Sequence, residues 1–86
     1  RNYPNPGNPS TTIRFSSNEA QKVSVDIYNV KGQKVKTLVN QNLSQGTHGF
    51  VWTGEDDNAH SVSTGVYFYR VSTDTQNFTK KLMFVK

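Results

Sequence analysis

An apolar period of two, recurring in short bursts, restricts this chain's fold more than any other feature. Thr11, Ile13 and Phe15 alternate with Thr12, Arg14 and Ser16; Val23, Val25 and Ile27 alternate with Ser24, Asp26 and Tyr28; His48, Phe50 and Trp52 alternate with Thr47, Gly49 and Val51. Successive side chains of a strand point to opposite faces, so each burst predicts a half-buried β-strand. Ser, Thr and Asn make up 26 of the 86 residues, against two Ala and three Leu. That usage disfavours helix almost everywhere and suits a β-rich module of extracellular type.

The remaining segments extend the pattern. RNYPNPGNP holds all three prolines and predicts a stiff lead-in over residues 1–9, because each Pro fixes φ and biases its predecessor towards extended geometry. Strands are predicted over Ser10 to Ser17 and Lys22 to Val30, with a turn at Asn18 to Gln21 between them. Lys31-Gly32 predicts a tight turn into a strand from Gln33 to Val39, in which Val35, Thr37 and Val39 oppose Lys34, Lys36 and Leu38. Asn40 to Gly46 reads as a polar connection anchored by Leu43, and Gly54 to Gly65 as a turn-rich loop pinned by Val62. Val66 to Ser72 is apolar on both faces, which predicts a central strand, and the Thr73 to Asn77 turn joins it to a last strand from Phe78 to Val85. Six to seven short strands at this spacing predict an all-β, antiparallel immunoglobulin-like β-sandwich.

Size and chemistry exclude most catalytic functions. A chain of 86 residues allows one small domain, 1–86, and only about 60–65% of its unfolded surface is buried on folding, so the core is thin. Without Cys there is no disulfide, no thiolate metal site and no thiol nucleophile. No apolar run exceeds four residues, far below the ~18 of a membrane span. His48 shares a strand face with Phe50 and Trp52 and reads as a packed or hydrogen-bonded histidine; His60 lies on a polar loop and reads as solvated. Neither has a glycine-framed serine beside it, and the carboxylates show no paired spacing, so no enzyme is expected. Glu55, Asp56, Asp57 and Asn58 form the one acidic cluster. Asp56 and Asp57 are candidate metal ligands, but the spacing departs from D-x-[DN]-x-[DN]-G, and contiguous Asp residues also cap loop backbone, so no cofactor is expected.

The formal charge of +4 divides into a hairpin group, Lys31, Lys34 and Lys36, and a terminal group, Lys80, Lys81 and Lys86. Nucleic-acid binding asks for one continuous basic stripe, whereas lysines on outward strand positions protect sheet edges from pairing. Ten aromatics would suffice for a carbohydrate-binding face, but Trp52, Tyr67 and Tyr69 fall in core-like strands, leaving Tyr3 and Tyr28 freer. The Asn42 and Asn77 sequons read as ordinary turn residues. The sequence opens at Arg1 with no initiator Met and no leader pattern, which reads as a piece of a longer protein.

Three stretches together, NYPNPGNPSTTIRF, VSVDIYNVKGQKVKTLV and the run from LSQGTHGFVWTG through STGVYFYRV to TKKLMFVK, cover essentially the whole chain. They resemble the C-terminal sorting domain of proteins exported by the bacterial type IX secretion system, a relative of the immunoglobulin-like domain of flagellar hook-capping proteins. The resemblance implies a non-catalytic sorting and cell-surface attachment domain of a secreted bacterial protein, following an N-terminal cargo domain. It implies two partners, the outer-membrane export machinery and anionic cell-surface polysaccharide. The signal would lie in the last strands, at Gly65, Tyr67, Val71, Lys80, Lys81 and Lys86. The sequence departs from the family pattern at Gly7, in place of Phe, at Thr53, in place of Asp, and at Ala59, in place of a loop Gly. A carbohydrate-binding or structural accessory β-sandwich module of an extracellular enzyme is the alternative.

Overall fold

The computed structural model describes residues 9–86, so Tyr3, Pro4, Pro6 and Gly7 of the lead-in lie outside the described residues. Six strands form: β1 (Thr11–Ser17), β2 (Gln21–Tyr28), β3 (Lys34–Leu43), β4 (Gly46–Trp52), β5 (Gly65–Thr73) and β6 (Asn77–Phe84). All pairings are antiparallel. β1 and β4 make a two-stranded sheet, and the other four make a second sheet in the order β3-β2-β5-β6. The expected all-β sandwich is therefore present, with β5 in the interior of its sheet as its two apolar faces predict.

The two sheets meet through the alternating residues. Ile13, Phe15 and Trp52 come from the small sheet; Val23, Val25, Ile27, Val39, Leu43, Tyr67, Val71 and Phe84 come from the large one, and all are buried. Trp52 sits at the centre, its ring centroid 5.2 Å from Tyr67 in an edge-on arrangement and 5.1 Å from Phe84. Its Nε1 donates to the Glu55 carbonyl at 3.0 Å, so the indole is buried without losing its hydrogen bond. Ser17, the one buried polar residue among those described, donates to the Glu19 carbonyl at 2.6 Å and accepts from Gln21 Nε2 at 2.9 Å. Those bonds fix the turn from β1 into β2.

β3 departs from expectation twice. Its pairing with β2 slips between Val25 and Asp26 and again between Ile27 and Tyr28, leaving Leu38 and Val35 as extra residues. As the extra residue of the first bulge, Leu38 packs against the core with Val35 instead of opposing it, and Thr37, paired with Asp26, turns to the outer face instead of sharing that of Val39. The strand also runs on through Asn40–Asn42 to buried Leu43, where the sequence reads as a loop. β3 is an edge strand, and polar side chains are compatible with a ladder that has solvent on one side. Asn42 and Asn77 are accordingly strand residues, not turn residues.

The β2–β3 turn forms at Asn29 to Gln33. Gly32 takes a positive φ of 82°, and the Asn29 Oδ1 accepts the Lys31 and Gln33 amides at 2.9 and 3.0 Å. Ala59 also has a positive φ, 65°, so the loop makes a left-handed turn at a residue other than glycine.

Candidate functional site

Five of the six signal candidates fall on the β5–β6 hairpin, where the pleat distributes them, and Lys86 follows it. Tyr67 and Val71 point inward and are buried, so in the folded domain they build the hairpin and present nothing to a partner. Val71 faces Phe78, Tyr67 faces Leu82 and Gly65 faces Phe84 across the ladder. Lys80, opposite Tyr69, shares their face but lies on the edge strand, and its ammonium reaches solvent 5.7 Å from the Phe78 ring centroid. Lys81, opposite Phe68, points to the other side of the sheet. Lys86 lies beyond the strand, where its backbone N–H donates to Thr64 Oγ1 at 3.1 Å. The exposed signal candidates are thus two lysines on opposite faces of one edge and a third near its end.

Tyr67 has a second role that its position on the core face does not reveal. Its hydroxyl donates to the Ser63 carbonyl at 2.7 Å, four residues back, tying the start of β5 to the loop before it. Tyrosines at the corners of immunoglobulin-like sandwiches make the same kind of bond. The choice of Tyr over Phe was the available signal.

The two lysine groups map onto the two edges of the four-stranded sheet. Lys34 and Lys36 lie on β3, with Lys31 in the turn before it, and Lys80 and Lys81 lie on β6. The β3 edge carries a further device from the acidic loop. The Asp57 N–H donates to the Val35 carbonyl and Asp57 Oδ1 accepts the Thr37 N–H, both at 3.0 Å. The loop thereby occupies ladder positions that another strand would take.

Asp56 is engaged as fully. Its Oδ1 accepts the Asn58 and His60 amides at 2.9 Å, and its Oδ2 lies 3.9 Å from His60 Nδ1. The His60 amide above all, then the Asn58 amide and the nearby His60 and Lys36 charges, hold its carboxyl below the ordinary value against the opposing effect of desolvation. An open polar cleft of about 490 Å³ between this loop and β3 is lined by Lys34, Val35, Asp56, Asp57, Asn58 and Val62 among others. Its carboxylates are spent on backbone amides, and among the described residues no three His, Asp or Glu side chains gather to hold a metal. His48 stacks on Phe50 at 6.3 Å, and its Nε2 donates to the Ser44 carbonyl at 2.8 Å.

The outer face of the four-stranded sheet was not legible as a surface. Tyr28 pairs with Phe68, Val66 with Met83 and Asp26 with Arg70. The Arg70 guanidinium lies over the Tyr28 ring, 5.3 Å from its centroid. Among the described residues no helix is present that could cross a membrane.

The fold has a solved counterpart in the structure of FLGD from P. aeruginosa, with a TM-score of 0.69 at 22% identity. The match takes in 87% of this chain and 58% of that one. No curated protein matches significantly. The secretion system C-terminal sorting domain family matches residues 1–86, every residue of the sequence. With that coverage the chain belongs to the secretion system C-terminal sorting domain family, a non-catalytic type IX export signal.

Proposed function

We propose that this domain directs a passenger to the bacterial cell surface, with the outer-membrane export machinery reading the exposed part of the β5–β6 hairpin. In this reading Lys80, Lys81 and Lys86 are presented to the machinery, and Gly65, Tyr67 and Val71 hold the hairpin that presents them. Attachment to anionic cell-surface polysaccharide follows export. The observation that carries the reading is the family match over residues 1–86. The placement of Lys80 and Lys81 on an open edge strand supports it.

Truncating β6 cannot test this, because it removes Phe84 from the core and unfolds what it is meant to probe. The test is a reporter fused ahead of the chain in a type IX-competent bacterium, with Lys80, Lys81 and Lys86 changed together to Gln. Surface display of the reporter is expected with the parent domain and is expected to fall sharply with the variant, whose melting curve should match the parent's. Unchanged display would overturn the assignment of the lysines, and no display by the parent would overturn the sorting reading itself.

A further inference from the structure

We infer that the outer face of the four-stranded sheet is a docking surface for a protein partner that presents carboxylates around an apolar patch. This deepens the sorting reading and rests on it. The inner face of the sheet is used up by the core, yet the outer face carries Tyr28, Val66, Phe68 and Met83 side by side in register. Met83 is 61% exposed and Tyr28, Val66 and Phe68 are half-buried, with the Arg70 guanidinium lying over the Tyr28 ring. Contiguous exposed apolar side chains of this kind are uncommon on a soluble domain unless something binds there.

The charges on this face say what kind of partner fits. The strand positions sharing it include the cations Lys22, Lys34, Arg70 and Lys81 and a single acid, Asp26. The Asp26 carboxylate already lies 3.9 Å from Lys34 Nζ. Lys34 pairs with Tyr28, Lys81 with Phe68, and Arg70 lies over Tyr28, so cations flank the apolar group, which favours and orients an acidic counterpart. A cleft of about 250 Å³ beside Tyr28, Val30, Phe68, Arg70 and Thr79 gives it relief. Tyr, Phe, Met and Arg are the side chains enriched at protein–protein interfaces. A sugar would stack on a bare aromatic plane, but Arg70 covers Tyr28 and Phe68 is half-buried. A sheet four strands wide spans roughly 14 Å across and about 25 Å along, the scale of a transient contact that releases its cargo.

The experiment uses the same reporter fusion in the type IX-competent host, with a photo-crosslinking amino acid at Met83 and, as control, at Val51, which is exposed on the other sheet. Crosslinking at Met83 and not at Val51 to an outer-membrane export component, identified by mass spectrometry, is the expected result. The product should diminish about tenfold when Arg70→Glu and Lys81→Glu are combined, with a parallel fall in display, because like charges then face one another. The melting temperature of the double variant reports whether the fold survives; Phe68→Ser supplies a charge-neutral second variant with the same expected loss. A crosslink only to glycan or only to the passenger would overturn the proposal, as would full display by both variants. If the parent fusion itself is not displayed, the sorting reading fails and the docking face falls with it.

Discussion

The ring of Phe84 lies so close over Gly54 that a Cβ at position 54 would overlap it. Gly54 is buried and has a positive φ of 76°, so any side chain there is strained by the backbone as well as by the ring. This contact joins the exit of β4 to the last core residue of β6, and the Gly54 carbonyl accepts the Val62 amide at 2.9 Å to close the loop. Gly54→Ala is expected to destabilise by about 3 kcal/mol, combining overpacking with the left-handed penalty. Urea denaturation measures it, and Phe84→Leu in the Gly54→Ala background should recover part of the loss in a double-mutant cycle. Strict additivity of the two substitutions would show that the contact is not the cause.

Tyr67→Phe separates the corner bond from the packing. The phenyl ring keeps its place beside Trp52, so the loss reports the hydroxyl bond to Ser63 and is expected at about 1 kcal/mol. Tyr67→Leu, which also removes the edge-on aromatic contact, should cost more. Thermal unfolding of the parent and the two variants distinguishes the two effects; a Tyr67→Phe variant as stable as the parent would rule out the corner role.

Much of the sandwich was legible because its inner positions are strictly alternating. Ile13 and Phe15, Val23, Val25 and Ile27, and Trp52 announce both the strands and their inward faces. β3 was half legible: Val39 and Leu43 are buried as apolar anchors, but one bulge turns Leu38 inward, and a bulge is a pairing event that the alternation of residues does not announce. Gly54 and Tyr67 act through φ and through a backbone carbonyl, which composition and periodicity do not encode. The lysines of the candidate site were legible as edge residues, whereas the outer face was not. Apolar groups on both sides of β5 imply burial on both sides, whereas among the described residues Val66 and Phe68 on the outer side are only half-buried.

Ala59 is the residue the loop tolerates rather than prefers. Its φ of 65° places a Cβ in the left-handed region, where Gly has no steric penalty. Ala59→Gly is therefore expected to stabilise by about 0.5 kcal/mol, since relief of roughly 1–2 kcal/mol of strain exceeds the added entropy of the unfolded chain. Ala59→Val should destabilise. A rise in Tm for the valine variant would contradict the observed backbone.

The loop should also respond to acid. The Asp56 carboxyl is held below its ordinary value in the folded domain, so its ionised form is favoured by folding. Its contribution is full above the unfolded carboxylate pKa of about 3.9 and is lost as pH falls through the lower folded value. Amide exchange at Asn58 and His60, the donors to Asp56, should accelerate in that window before the core amides do. Asp56→Asn, which retains an acceptor oxygen but no charge, should flatten the pH dependence. An unaltered profile in that variant would assign the acid sensitivity elsewhere.

Asp57 guards the β3 edge from outside, and its removal tests whether that guard matters. With Asp57→Ala the Thr37 amide loses its acceptor, and among the described residues the Asp57 N–H bond to Val35 is the hydrogen bond that still ties the loop to β3. The direct loss is small, about 1 kcal/mol, because the bond is exposed and water replaces it. The larger effect falls on association, since an uncovered edge offers unpaired amides and carbonyls to a second chain. Lys34 and Lys36 on the same strand oppose such pairing by charge, so the variant should remain monomeric in low salt and associate as salt screens them. Light scattering across a salt series measures this. Adding Lys36→Thr should bring association on at lower salt, whereas a monomer under all conditions in both variants would show that the loop does not protect the edge.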